Sequence, residues 1–395
     1  MTLRERSTRG FGAVSAGAVL AVLAVPVLPA PAYAAPVPKP NPRQWYLTDW
    51  QMERAVWPVS QGEGVKVAIV DTGVDDGHNL PEMRDGVVLP GVDISEHQEG
   101  SDGRYDFNGH GTQMGLLVAA RGTGGGAVGV APRSTILPVK ISTGVDTRNG
   151  IRWAADNGAK VINLSIAHIR IGERCSPEMQ DALNYAIERD VVIVAGSGND
   201  GNGDNNTEEP SSCPGVVAVG AVDRSGRPWE KTQRKPYVAV AAPGASLPMR
   251  NYYGEWVESN GTSNSAALVA GLVALVRARF PDASAREVVQ RVIATARDTG
   301  PSGPDETTGY GVIDPARALT EEVPADAPNP VFAAYDALRE ERESAERRDA
   351  LLGRLPWIGG GLCLALCVGA VALLIVWSVR RDRRARLAAG GWGRP

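Results

Sequence analysis

Three short segments of the chain carry the side chains that nucleophilic catalysis uses: a carboxylate, an imidazole and a hydroxyl. The apolar run Val67–Val70 ends at Asp71, His110 lies between two glycines, and Gly261-Thr262-Ser263 leads into a long run of small and apolar residues. A serine at the start of a helix lies near free backbone N–H groups and the positive end of the dipole, which stabilise an oxyanion. Serine is also a common helix cap, so this segment alone would indicate only the start of a core helix. The three segments together predict a catalytic set.

The roles of the three side chains follow from their chemistry. Ser263 is the expected nucleophile, because a serine hydroxyl attacks once a base removes its proton. His110 is the expected base, and afterwards the acid for the leaving amine. Asp71 would hold the imidazole in one tautomer and stabilise its protonated form.

The other three of the four histidines are weaker candidates for the base. His78 lies shortly after Asp71 in a polar turn, His97 lies in an acidic stretch, and His168 follows an apolar run. No two of the histidines have the spacing of paired zinc ligands, so we predict no metal site and no cofactor. Calcium stays open, because its oxygen ligands cannot be singled out in the sequence.

Apolar runs typical of strands alternate with helical patterns along the part of the chain that contains these three side chains. This alternation predicts an α/β domain with a parallel sheet that is covered on both faces. A capping box, Ser284 with Glu287, marks the start of one helix. The expected strands include Val65–Val70, Thr135–Ile141 and Val161–Ile166, and the expected helices include Asn149–Asn157, Glu178–Arg189 and Ala285–Ala296.

The order Asp, His, Ser and the residues around each member resemble the subtilases, the family of subtilisin-like serine peptidases. The resemblance extends from about Lys66 to about Ala318. It implies a subtilisin-like three-layer fold with a central, mostly parallel sheet over residues 65–320. It also implies cleavage of proteins or peptides.

The same resemblance extends to the residues that would bind substrate. The run Val191–Gly201 resembles the family's Ala-Gly-Asn loop, which implies that Asn199 donates to the oxyanion; a turn asparagine is the ordinary alternative. It also implies that Ala195 and Gly196, with Ser165 and Ile166, contact an extended substrate. Two segments depart from the family pattern, at Ser165–His168 and after Ser263 at Asn264–Ala267. They leave substrate preference open and keep a weakly active enzyme in consideration.

The N-terminus has the pattern of an export signal. Arginines precede the apolar run Phe11–Leu28, and an Ala-x-Ala site follows, which predicts a signal peptide over 1–34 with cleavage after Ala34. A first membrane anchor is the alternative. Residues 35–64 would then form an extension with a Pro-rich spacer.

The C-terminus has the pattern of a membrane anchor. Residues 321–355 indicate a linker that ends in a charged helical stalk, Asp336–Arg348. No charged residue occurs over 356–379, which is long enough to span a bilayer; a buried core helix is the alternative. The basic tail over 380–395 would lie in the cytoplasm, which places the catalytic domain outside the cell membrane.

Cysteine usage fits an exported domain. Cys363 and Cys367 lie within the expected span, whereas Cys175 and Cys213 lie in polar loops outside it. Such a pair in an oxidising compartment predicts one disulfide, with two free buried thiols as the alternative.

These features together resemble the mycosins, the membrane-anchored subtilases of actinobacterial type VII secretion systems. A net charge of −4 argues against a nucleic-acid partner. The resemblance implies protein substrates and possible contact with type VII membrane components. We expect a membrane-anchored serine endopeptidase. The alternative is a structural subunit of a secretion complex in which proteolysis is weak or absent.

Overall fold

The computed structural model describes residues 36–95, 101–170, 175–300 and 302–389. The predicted signal peptide, His97 and the last residues of the basic tail lie outside the described residues. In chain order the elements are α1 (Trp45–Asp49), β1 (Lys66–Asp71), β2 (Val92–Asp93), α2 (His110–Ala119), β3 (Thr135–Lys140), α3 (Gly144–Asp156), β4 (Val161–Leu164), β5 (His168–Arg170), α4 (Pro177–Ile187), β6 (Val192–Gly196), β7 (Thr207–Glu209), β8 (Val216–Val222), β9 (Val238–Pro243), β10 (Leu247–Arg250), β11 (Trp256–Ser259), α5 (Thr262–Arg279), α6 (Ala285–Ala294), α7 (Pro315–Thr320) and α8 (Pro330–Ala389).

Seven strands form one parallel sheet in the order β2-β3-β1-β4-β6-β8-β9. Every residue of β6, β8 and β9 is buried, as expected for strands that helices cover on both faces. Two short antiparallel pairs, β5–β7 and β10–β11, lie outside this sheet. The α/β, subtilisin-like architecture expected from the sequence is confirmed.

The sheet brings the ends of three strands to one edge. Strands β1, β4 and β6 run parallel and adjacent, so Asp71, Ser165 and the loop to Asn199 follow the same edge. Helix α5 is buried almost all round its circumference, which indicates a central core helix and fixes the position of its first turn.

The sequence placed most elements correctly but missed some boundaries. Helix α6 begins directly after its N-cap residue Ser284, which forms the predicted capping box with Glu287. Helix α3 begins at Gly144, five residues before the predicted Asn149, because Thr143 and Asp146 form a second capping box that the apolar pattern did not reveal.

The segment expected to be an extension packs on the catalytic region. The Gln44 side chain donates to the carbonyl of Val128 at 2.7 Å and accepts from its N–H at 2.8 Å. The Trp57 indole donates to the carbonyl of Val130 at 2.9 Å. Both side chains are buried, so residues 44–57 are built into the same core as the sheet.

The C-terminal region is one continuous helix, α8, of 60 residues. The sequence predicted a stalk helix and a separate span; the structure joins them, because the Ala-, Leu-, Glu- and Arg-rich flanks are strong helix formers. Where the structure describes the side chains of α8, the window long and apolar enough to cross a membrane is Cys363–Leu387, which overlaps the expected span of 356–379. Its side chains are exposed along the described part, so it is not a buried core helix.

Candidate active site

Asp71 and His110 form a preassembled pair at the sheet edge. Asp71 is the last residue of β1 and its side chain is fully buried, whereas His110 begins α2 and its side chain is 33% exposed. The Nδ1 atom of His110 lies 2.8 Å and 3.0 Å from the two carboxylate oxygens of Asp71. Because a carboxylate only accepts, Nδ1 carries the proton and Nε2 is the basic nitrogen.

Two opposing effects set the pKa of His110. Burial acts to lower the pKa of the imidazole, while the charge of Asp71, its hydrogen bond and the charge of Asp106 act to raise it. The carboxylates prevail, so the pKa of His110 lies above its ordinary value. The pair therefore favours the imidazolium that a general base must form.

The turn before α2 is organised by a second buried carboxylate, Asp106. It accepts hydrogen bonds from the N–H of Gly109 at 2.8 Å and from the N–H and hydroxyl of Thr112 at 2.9 and 2.7 Å. It also accepts from the hydroxyl of Thr72 at 2.8 Å, which in turn accepts from the N–H of Gly111. Asp106 thus ties the loop after Asp71 to the start of the helix that carries the histidine.

Ser263 lies in the first turn of α5. Its hydroxyl donates to the carbonyl of Ser165 at 3.3 Å, and the hydroxyl of Ser165 donates to the carbonyl of Ser263 at 3.2 Å. Asn163, buried in β4, donates to the Ser165 hydroxyl at 2.9 Å. The residue that follows β4, Ser165, is therefore linked to Ser263 by two hydrogen bonds.

Asn199 follows β6 and faces the start of the same helix. Its Oδ1 accepts from the N–H of Thr262 at 2.9 Å and from the Thr262 hydroxyl at 3.0 Å. A backbone N–H can only donate, so the amide oxygen contacts Thr262 and the Nδ2 donor is not used in this contact. Sequence analysis assigned no role to Thr262; its position between Gly261 and Ser263 was the available signal.

His110, Asn199 and Ser263 line one open cleft with a volume of about 410 Å³. Of the residues expected to contact substrate, Ser165, Ile166 and Gly196 line it. Ala195 does not, because it is fully buried within β6 between paired residues of β4 and β8. The sequence did not single out the remaining lining residues, which are Ala167, Gly198, Asp200, Glu208 and Thr262.

The cysteines outside the apolar helix form a disulfide. Cys175 and Cys213 are joined, with their Cα atoms 5.0 Å apart. In the part of the chain that the structure describes, these two residues and Glu209 are also the one group of three potential metal ligands. Because the disulfide occupies both sulfurs, this group is not a metal centre.

Two other histidines lie outside the catalytic pair. His78 is exposed in the loop after β1, and His168 is half-buried in β5, with its ring against Gly144. Among the described residues, His110 is therefore the histidine that contacts Asp71.

The fold and the cleft define a class of protein. A buried carboxylate–imidazole pair, a serine at a helix start and an oriented amide donor are the components that serine hydrolases use for acyl transfer. The sequence model of the subtilase family matches residues 62–311, and the chain belongs to this family of serine peptidases.

Comparison with known proteins shows which subtilases this chain resembles. Mycosin-1 of Mycobacterium tuberculosis is 32% identical, over 79% of this chain and 80% of that protein. Fervidolysin of Fervidobacterium pennivorans is 32% identical over 71% of this chain, and the match spans 44% of fervidolysin's own length. A solved structure of the periplasmic assembly from the ESX-5 inner membrane complex has a TM-score of 0.62 and 29% identity, over 73% of this chain and 86% of that chain. The chain is thus a subtilase related to the mycosins.

Proposed function

We propose that this chain is a membrane-anchored serine endopeptidase that cleaves a few proteins linked to type VII secretion. The observation that supports the proposal is that His110, which is bonded to Asp71, lines one cleft together with Ser263 and Asn199. The relation to mycosins supports the secretion context.

In the proposed reaction, Ser263 Oγ attacks the substrate carbonyl carbon while His110 Nε2 takes the hydroxyl proton. The developing oxyanion receives hydrogen bonds from Asn199 Nδ2 and from the N–H groups at the start of α5. His110 then gives its proton to the leaving amine, and a water molecule hydrolyses the acyl-enzyme by the reverse sequence. Asp71 keeps the imidazole oriented throughout.

The location is inferred from the two ends of the chain. The signal peptide 1–34 would be removed during export, and the extension 35–64, the peptidase domain 65–320 and the linker 321–355 would lie outside the cytoplasmic membrane. The apolar, exposed part of α8 supports a single span, and the arginines after it support a cytoplasmic tail. The likeness to a chain of an inner-membrane assembly supports contact with other membrane components.

The second candidate is a structural subunit whose proteolysis is weak. The departures from the family pattern at Asn264–Ala267 and at Ile166–His168 favour it at the sequence level. In the structure, however, the Asn264 side chain is buried and donates to the Ser259 hydroxyl at 3.1 Å, and the Ser265 hydroxyl donates to the Ala242 carbonyl at 2.9 Å. The substitutions at Asn264 and Ser265 are therefore accommodated outside the cleft and give no reason for lost catalysis, whereas Ile166 and Ala167 line the cleft.

The test is labelling of the detergent-solubilised full chain with a fluorophosphonate. We expect wild type to label and Ser263→Ala and His110→Ala not to label. His78→Ala is the matched control, because this histidine is exposed and outside the pair, and it should label like wild type. A folded wild type that does not label would favour the structural subunit instead.

A further inference from the structure

A slot opens in the cleft where two neighbouring strands separate. Strands β4 and β6 are paired up to Leu164 and Ala195. Beyond them, one chain continues through Ser165–Ala167 into β5, and the other turns at Gly198, whose φ is +115°, to reach Asn199. Strand β7 pairs with β5, with Glu208 opposite Ile169, and Glu208 also lines the cleft. Glu208 therefore closes the slot beside the proposed oxyanion donor.

Two consecutive glutamates of β7 have different surroundings, as expected for successive side chains of a strand. The Glu209 carboxylate accepts from the N–H of Ser176 at 2.8 Å and from its hydroxyl at 3.1 Å, at the N-cap of α4. The Glu208 carboxylate accepts from the Gln233 side chain at 2.9 Å through Oε1, whereas its buried Oε2 has no hydrogen-bond partner among the described residues. Glu209 thus bonds to the N-cap residue of helix α4, whereas one carboxylate oxygen of Glu208 is available to accept a hydrogen bond from a ligand.

The unpartnered oxygen lies against the loop that carries Asn199. A side chain at Gly198 would place its Cβ 2.5 Å from Glu208 Oε2 and 2.5 Å from the Gln233 side chain, so only glycine fits there. Glu208 Oε2 is therefore close to the backbone one residue before the amide that would bind the oxyanion. A substrate side chain that enters between Ser165–Ala167 and Gly196–Gly198 approaches this carboxylate.

The electrostatics of Glu208 favour an incoming cation. Burial raises the pKa of its carboxyl, and the negative charge of Asp200 adds to this, against a hydrogen bond from Gln233 and the charge of Lys235. An ionised carboxylate in this position is incompletely compensated in the free protein. A positive group beside Oε2 would supply both the missing donor and the missing charge.

We propose that Glu208 determines which residue precedes the cleaved bond, and that it favours lysine or arginine there. This inference rests on the proposed peptidase function. In the substrate complex, the basic side chain would occupy the slot and donate to Glu208, while the scissile carbonyl lies between Ser263 and Asn199. The asymmetry between the two glutamates makes the inference specific to Glu208.

The test compares succinyl-Ala-Ala-Pro-Lys and succinyl-Ala-Ala-Pro-Leu p-nitroanilides as substrates of the solubilised full chain. We expect kcat/KM to be at least about tenfold higher for the lysine substrate. Glu208→Gln should lower this ratio by roughly tenfold to hundredfold, the range for losing a charge-assisted hydrogen bond. Glu208→Asp keeps the charge on a shorter side chain and should retain part of the preference. Glu209→Gln, on the neighbouring framework residue, should leave the ratio within about twofold of wild type.

Fluorophosphonate labelling separates this inference from the proposed function, because the reagent has no side chain to fill the slot. Wild type that labels but cleaves the leucine substrate equally well or faster overturns this inference alone. An unchanged ratio in a labelled Glu208→Gln variant overturns it as well; if that variant does not fold, an unchanged ratio in Glu208→Ala, which also removes the charge, does the same. Wild type that does not label overturns the proposed function and this inference with it.

Discussion

The two sides of the cleft are held in place by different physical means. On the histidine side, residues 71–73 and 106–112, a buried carboxylate gathers backbone and hydroxyl donors, so Asp106 fixes the turn before His110. On the oxyanion side, residues 165–170, 196–199 and 207–209, a two-stranded pairing and the nearby Cys175–Cys213 disulfide hold the chain. The histidine side is thus held by hydrogen bonds to the buried Asp106 carboxylate. The oxyanion side is held by the β5–β7 pairing and by the disulfide.

The two sides of the cleft have different tasks in the proposed reaction. The histidine side needs one exact placement of an imidazole, and a network of short hydrogen bonds to one carboxylate provides it. The oxyanion side must accept a substrate chain between its walls, and a separated strand pair leaves that space. Substitutions on the two sides should therefore differ in their effects on kcat, on KM and on the free energy of unfolding.

The largest effect should come from Asp71→Asn on the histidine side. An asparagine can donate to Nδ1 and so stabilise the wrong tautomer, which should lower kcat by about four orders of magnitude. Hydrolysis of a peptide anilide measures this loss, and circular dichroism checks the fold. A loss of less than about tenfold would contradict the role of Asp71.

A smaller effect on rate should come from Asn199→Ala on the oxyanion side. Removal of one oxyanion donor costs about two to three orders of magnitude in kcat, with KM little changed. Steady-state kinetics of the same anilide measure both constants. If KM alone changed, Asn199 would bind the ground state and the oxyanion assignment would be wrong.

Loss of the disulfide should affect stability more than chemistry. The bond joins residues separated by 38 positions, so the Cys175→Ser, Cys213→Ser double variant should lose about 3–4 kcal/mol in the free energy of unfolding. Urea denaturation followed by tryptophan fluorescence, with and without a reducing agent, measures it. A reducing agent should destabilise wild type and leave the double variant unchanged.

Asp106→Asn, on the histidine side, should lower both the free energy of unfolding and kcat. The substituted amide presents N–H groups to backbone donors, which leaves buried donors unsatisfied at a cost of about 2–3 kcal/mol in the free energy of unfolding. The same urea experiment gives this number, and the anilide assay should show reduced kcat. Full activity with unchanged stability would show that Asp106 does not position the histidine.

The smallest effect concerns the pH profile. The catalytic base must be neutral, so kcat/KM should rise with pH through the pKa of His110, which lies above its ordinary value because of Asp71. Removing the Asp71 charge removes a cause of that raised pKa. The midpoint of the residual activity in Asp71→Asn should therefore move to lower pH, and a midpoint that moves upward would contradict this account.

Much of the fold was predictable because local patterns carry it. Buried parallel strands read as short apolar runs, and the capping box at Ser284 marked a helix start that the structure reproduces. The start of α3 was missed, because apolar periodicity weakens in a polar first turn such as Gly144–Arg148. The continuity of α8 was missed because its composition changes from charged to apolar, although the backbone stays helical throughout.

The amino-acid sequence was enough to identify the aspartate, the histidine and the serine in family-like segments, the cysteines outside the apolar span, and the approximate position of that span. Such features depend on residue type and spacing along the chain. The surroundings of individual side chains depend on the tertiary structure. It buried Ala195 below the cleft, turned the Asn199 amide against Thr262, and gave two adjacent glutamates opposite surroundings. These outcomes depend on strand register and on partners distant in the chain, and a local pattern contains neither.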